Sequence, residues 1–263
     1  MSTFVRVKHK QIAQLMAKGK RLDGRDLDSY REIKIEMGVI EKAEGSARVK
    51  LGRTEVLVGV KIAVGEPFPD TPSEGVLTVN AELVPLASPT FEPGPPNENA
   101  IELARVVDRG IRESKAISLE KLCLIPGKRV LVVFVDVYVL NHDGNLIDAS
   151  AIAALGALLN TKMLKYEVEG EEVKTKPGYV PLPIQNYPIA VTSAKINGKL
   201  AVDPWLEEEQ VMDARLTITS GKDGEICAIQ KGGTGYFTVE RILEIAKTAK
   251  EKASDIRKLM VKG

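Results

Sequence analysis

An α+β fold, arranged as two sheet-and-helix halves with mixed or antiparallel sheets, is what the sequence predicts, and three patterns predict it. Short strand-like runs gather ahead of helical periodicity, residues 130–140 are almost continuously β-branched or aromatic, and a long amphipathic segment closes the chain after Thr238. Residues 8–18 read as a short helix with Ile12, Leu15 and Met16 on one side, ending at the Asp23-Gly24 turn. Strand character follows at Ile33 to Met37, Ala47 to Leu51, Glu55 to Ile62 and Val76 to Pro85. Pro- and Gly-bearing loops cover residues 66–75 and 88–99, and the second leads into a helix over 99–114. Residues 130–140 predict a central strand buried on both faces. Asp148 is placed to cap a buried, Ala-rich helix from Ala149 to Asn160 in which Gly156 permits close packing.

Residues 166–188 carry charge and four prolines and read as a connection between the halves. Beyond it come Ala190 to Ile196, the Asn197-Gly198 hairpin turn, Lys199 to Val202, Arg215 to Thr219, the Asp223-Gly224 turn and Glu225 to Gln230. Thr238 then caps a helix to about Met260. The expected organisation is an N-terminal arm (1–29), a first half (30–187) and a second half (188–263), with no residue-level internal repeat.

Composition narrows the function. With 44% apolar and 28% charged residues in 263, the chain buries a sizeable core. Thirty-seven basic against 36 acidic residues leave a formal charge of +1, so a polyanion would have to be held by local clustering. Cys123 and Cys227 stand in apolar or mixed runs, as expected of a reduced protein without a disulfide or metal site. No signal-peptide core or 18-residue apolar run occurs, and a cytoplasmic protein without membrane contact is expected.

The densest local cluster is Arg105, Arg109 and Arg112. At 100° per residue they share a sector of roughly 60°, opposite Leu103, Val106, Val107 and Ile111. Two readings stand open. Either the comb faces an anionic partner, or Glu102, Asp108 and Glu113 neutralise it and the helix is an ordinary solvated face.

Leu22-Asp-Gly-Arg25, Gly45-Ser-Ala47 with Leu51-Gly-Arg-Thr54, and the run from Glu92 to Arg109 together closely resemble the RNase PH superfamily. Within it, the match is to the non-catalytic RNase PH-like subunits of the archaeal exosome core, over roughly Lys20 to Met260, with Asp136 to Leu140 and Asp203 to Glu209 included. The resemblance implies an RNase PH fold and a hexameric ring of alternating catalytic and non-catalytic chains. RNA-binding subunits would cap the ring, which would degrade single-stranded RNA from 3′ to 5′ with phosphate. It matches Arg105 and Arg109 to arginines that hold RNA near the catalytic neighbour's active site; Arg112 joins them by its helical position alone. Guanidinium forks grip phosphate without reading sequence, which suits processive degradation. Aromatic residues are only 5%, so extensive base stacking is not indicated.

The same resemblance points to a catalytically silent chain. Catalytic relatives carry a Gly-Gly-Thr-Arg or Gly-Ser-Arg type phosphate loop after the central strand; here the run is Asp143-Gly-Asn-Leu-Ile-Asp148, without its arginine and with an added carboxylate. Aligning their two catalytic aspartates on Asp213 puts Glu207 at the other position. We read both as vestigial carboxylates in a solvated acidic turn, the rival being a metal site with Glu208 and Glu209. Cofactors are thus expected to be none in this chain, with inorganic phosphate, and any divalent metal, used by the catalytic partner. Lys231-Gly-Gly-Thr-Gly235 reads as a turn before the last helix, and Trp205 as a packing or interface anchor. His9 and His142 assemble no triad or zinc site. The competing functions are an independent phosphorolytic exonuclease using Glu207 and Asp213, and a purely structural ring subunit without RNA contacts.

Overall fold

The computed structural model describes the backbone of residues 3–261 and the side chains of residues 10–260. Helix α1 spans Thr3–Ala17, beginning before the helix expected at 8–18. Its Ile12 and Met16 are fully buried, and they pack on Ala194, Ile196 and Ala201 of the second half, not on the adjacent first half.

Strands β1 (Ile33–Met37), β2 (Gly45–Leu51), β3 (Thr54–Gly65) and β4 (Val76–Leu83) precede helix α2 (Glu98–Glu113), and β5 (Cys123–Ile125) and β6 (Arg129–Asn141) follow it. They form one sheet in the order β1-β2-β3-β6-β4, with β5 also on β6. Only β4 runs parallel to its neighbour, so the sheet is mixed. Strand β6 corrects the expectation of a strand buried on both faces. Val133, Val135, Val137 and Val139 are buried, while Phe134 and Asp136 are half-buried and Tyr138 is exposed. Helices cover one face of the sheet only, so the β-branched run follows the strand's period of two.

Helix α3 (Leu146–Leu159) is buried along nearly its whole length, and a Cβ on Gly156 would lie 3.1 Å from the Ala47 side chain. Its cap differs from the one expected. Asn145, in the left-handed region at φ 53°, is the N-cap, and Asp148 lies inside the first turn with its carboxylate buried. Asn tolerates that backbone better than most residues, which favours it at the cap.

Residues 166–188 are not a simple connection. Strands β7 (Lys162–Glu169) and β8 (Glu172–Pro181) form a two-stranded hairpin, laced by Lys176–Glu167 and Lys174–Glu169 ion pairs. The register shifts opposite Leu164 and Lys165, so that Pro177 and Gly178 fall outside the ladder. This bulge accommodates Pro177, while Pro181 ends β8 and Pro183 and Pro188 follow the hairpin.

The second half contains β9 (Ile189–Ile196), β10 (Lys199–Val202), α4 (Leu206–Glu209), β11 (Ala214–Ser220), β12 (Ile226–Gly232) and α5 (Val239–Val261). Its antiparallel sheet has the order β10-β9-β11-β12, and the β9–β10 turn has positive φ at both Asn197 and Gly198, as a tight two-residue hairpin requires. Ile245, Ala249, Ala253, Ile256 and Met260 form the buried stripe of α5. A single core joins the halves, running from Val56 and Val135 through Leu155 to Ile189, Ile218 and Ile245.

Candidate nucleic-acid interface

Helix α2 is fixed at its start by Asn97, whose side chain accepts the Ala100 N–H at 3.0 Å. Leu103, Val106, Val107 and Ile111 are buried against the core. The opposite face therefore points outward, and Arg105, Arg109 and Arg112 are all exposed on it, along an open groove of about 750 Å³. The nearby acids are unevenly engaged. Glu102 pairs with Arg215 of β11 at 2.6 Å. Asp108 takes two hydrogen bonds from Arg112, at 2.7 and 3.0 Å, and Arg112 also donates to the Leu77 carbonyl of β4 at 2.9 Å. The hydrogen bonds that Arg112 donates to Asp108 raise the Arg112 pKa against the opposing effect of burial. Among the described residues the side chains of Arg105 and Arg109 have neither an ion pair nor a hydrogen bond, and Glu113 has no ion pair. The comb is thus two free guanidiniums beside a third that is already engaged.

The run after β6 is filled from within. Arg31 donates to the Asp143 carbonyl at 2.7 Å and the Gly144 carbonyl at 3.2 Å, and it forks onto Asp203 at 2.7 and 2.9 Å. Asp203, fully buried with φ 50°, also takes Arg25 and Asn145, each at 2.8 Å, while its carbonyl accepts Arg21 at 2.8 Å. Burial alone would raise the Asp203 carboxyl, but the Arg31 hydrogen bonds and charge outweigh it and hold the pKa below the usual carboxylate range. Arg21 completes the lock in a buried pair with Glu208.

Asp148 lies on the inner side of this network. It accepts from Tyr30 at 2.7 Å, Asn145 at 2.8 Å and the Thr192 hydroxyl at 2.7 Å, and burial pushes its pKa up to about 6 against those bonds. The Asn145 N–H, at the head of α3, donates to Glu209 at 2.8 Å. Burial raises Glu209 to about 7. A carboxylate of the chain itself therefore occupies the Asn145 amide. The sequence reading missed Arg21, Arg31, Asn145 and Glu208 as members of one cluster. Its only trace was the Leu22 to Arg25 motif and the Asp203 to Glu209 run, whose members Arg25 and Asp203 are 178 residues apart.

The remaining candidates are dispersed. Asp213 is exposed and accepts the Asn197 N–H at 3.2 Å, whereas Glu207 is half-buried on α4. Among the described residues no group of three His, Cys, Asp or Glu side chains is placed to hold a metal ion. Lys231 and Gly232 end β12, so the expected turn is confined to the residues after them, with Gly233 at φ 79° and the Gly235 N–H on the Asp213 carbonyl at 2.7 Å. Trp205 is half-buried, and its backbone lies so close to Gly144 that a Cβ there would sit 2.4 Å from the Trp205 carbonyl carbon. His142 stacks on Phe91 at 5.3 Å, and burial lowers its pKa. The side chain of His9 lies outside the described residues. Cys123 and Cys227 are both free and half-buried. No described helix is long and apolar enough to cross a membrane.

Comparison with known proteins places this geometry in context. Residues 29–163 match domain 1 of the 3′ exoribonuclease family, RNase PH, and residues 186–252 match domain 2. The chain is 58% identical to the exosome complex component Rrp42 of Pyrococcus abyssi over 96% of its own length and 93% of that protein's. It is 51% identical to the Rrp42 component of Methanopyrus kandleri, over 98% and 97% respectively. In structure it superposes on a chain of the Archaeoglobus fulgidus exosome with RNA bound to the active site, with a TM-score of 0.88, 49% identity and coverage of 98% and 99%. With two domains in register and relatives matched over almost their entire length, the chain belongs to the RNase PH family of 3′ exoribonucleases, among the Rrp42 components of archaeal exosomes.

Proposed function

We propose that this chain is a catalytically silent, structural and RNA-binding subunit of an exosome core ring. In that ring it alternates with a catalytic RNase PH-like partner beneath RNA-binding cap subunits in the cytoplasm. Arg105 and Arg109 hold the phosphates of single-stranded RNA beside the partner's active site, with Arg112 in the same groove. The observation that carries this reading is the pair of exposed, unpaired guanidiniums on one helix, with the acids flanking Arg105, Glu102 and Asp108, bound elsewhere. Such groups grip a backbone without selecting bases, which processive 3′ to 5′ degradation requires. Phosphorolysis needs a bound inorganic phosphate, and in this chain the Asn145 amide is taken by Glu209 while Arg31 is spent on Asp203. Phosphate and any divalent metal are then used by the partner.

The test is release of nucleoside diphosphates from single-stranded RNA and inorganic phosphate by this chain, by its partner and by the two together. Activity confined to the mixture, or strongly enhanced in it, is expected. Equal activity from this chain alone would overturn the silent assignment and direct mutation to Glu207 and Asp213.

A further inference from the structure

Three acids flank the free arginines at helical contact distance in sequence. Glu102 and Asp108 each lie three residues from Arg105, and Glu113 lies four beyond Arg109. An isolated helix of this sequence would pair them with the arginines it needs to keep free. In the folded protein two of the three are withdrawn. Asp108 is taken by Arg112, which is itself anchored to the Leu77 carbonyl of β4, and Glu102 is taken by Arg215 from the second half. Arg112 spends its Nε and Nη2 on Asp108 and the Leu77 carbonyl and keeps only Nη1 open, whereas the whole guanidiniums of Arg105 and Arg109 are open.

We infer that Arg112 and Arg215 are positioning residues that sequester Asp108 and Glu102, so that Arg105, the arginine within one turn of both acids, stays unpaired for phosphate. The inference rests on the RNA-contact reading of Arg105 and Arg109 and adds the means by which that charge is kept available. It also changes the role expected for Arg112, from a ligand of RNA to a group that acts through its neighbours. The two halves of the chain cooperate in the arrangement, since Arg215 reaches α2 from β11.

The experiment is a mutant cycle on the chain assembled with its RNase PH-family partner, read as single-stranded RNA affinity in phosphate-free buffer at 0.15 M salt. R112A releases Asp108 to pair with Arg105 and is expected to weaken binding roughly two- to fivefold, the scale of one exposed ion pair. R112K keeps the pair and binds as wild type. In a D108A background there is nothing left to sequester, so adding R112A changes affinity by less than about 1.5-fold, within the range of a weak surface contact. If R112A costs the same in both backgrounds, Arg112 touches RNA directly and the sequestration is wrong. R105A/R109A serves as the control on the underlying reading: if that variant binds as wild type, it is the RNA-contact assignment that fails. Should R112A prove poorly folded by thermal melt, R112M, which keeps the apolar stem and has no donor for Asp108, takes its place in the same cycle. R215K and R215A make the corresponding comparison for Glu102.

Discussion

The outer face of α2 and the junction at the head of α3 both depend on arginine, and they use it in opposite ways. At the junction Arg21, Arg25 and Arg31 converge on Asp203 and Glu208, and Asp203 and Glu208 are fully buried. On α2, Arg105 and Arg109 are exposed and unpaired, and the two acids flanking Arg105 are held by other cations. A guanidinium satisfied from within ties the chain together and offers nothing to a ligand. One left unsatisfied at the surface contributes little to stability and is available to an anion.

The sharpest way to break this contrast is at Asp203. D203A removes the buried carboxylate on which Arg31, Arg25 and Asn145 converge, leaving, among the described residues, only Asp23 to pair with Arg25 and only Asp143 with Arg31, and should destabilise the chain by about 3 kcal/mol in chemical denaturation. D203N, which keeps the left-handed backbone and some acceptor capacity, should cost less. A loss below about 1 kcal/mol for D203A would mean that the cluster is not the lock described.

A second effect concerns Glu209, whose folded pKa of about 7 lies above its ordinary 4.5. A raised carboxyl favours the folded state when protonated, so this contribution is lost as pH climbs from about 4.5 to about 7, and the cost is fully present above that. E209Q removes the cost and can still accept the Asn145 N–H. It should be more stable than wild type at pH 8, on the order of 2 kcal/mol, with the advantage vanishing near pH 4. Calorimetry across that range checks the sign, and an E209Q protein less stable at pH 8 would contradict it.

The smallest energetic change should be the most visible functionally. R105A/R109A should leave the melting temperature within about 2 °C of wild type. It should weaken RNA binding roughly five- to tenfold and lower the salt slope by about 1.4, the value for two single-strand phosphate contacts. A large drop in stability would place these arginines with the junction cluster instead.

Much of the scaffold was legible because it rests on local periodicity. Strand β1, the Asn197-Gly198 turn and the stripe on α5 follow from spacings of two, from turn chemistry and from spacings of three and four. The arginine comb was legible for the same reason, since all three members lie on one helix. What stayed hidden depends on long-range contact. The pairing of Glu102 with Arg215 is invisible in either segment alone, and so is the capture of the Asn145 amide by Glu209. The β7–β8 hairpin was concealed by Pro177, whose place in a bulge only the partner strand reveals. The half-open face of β6 depends on which side the helices cover, and a β-branched run does not record that.

The lock between Arg21 and Glu208 also sets a schedule for synthesis. Its two members are 187 residues apart, and α1 likewise rests on strands that emerge late. At roughly 5–20 residues per second on the ribosome, the N-terminal arm is exposed for on the order of 10–40 s before its docking surface exists. During that interval the apolar side of α1 and the Arg21 guanidinium have no native partner. The first segment to be made is therefore among the last to be secured, and proteases or chaperones acting on the nascent chain should meet the arm before the finished protein hides it.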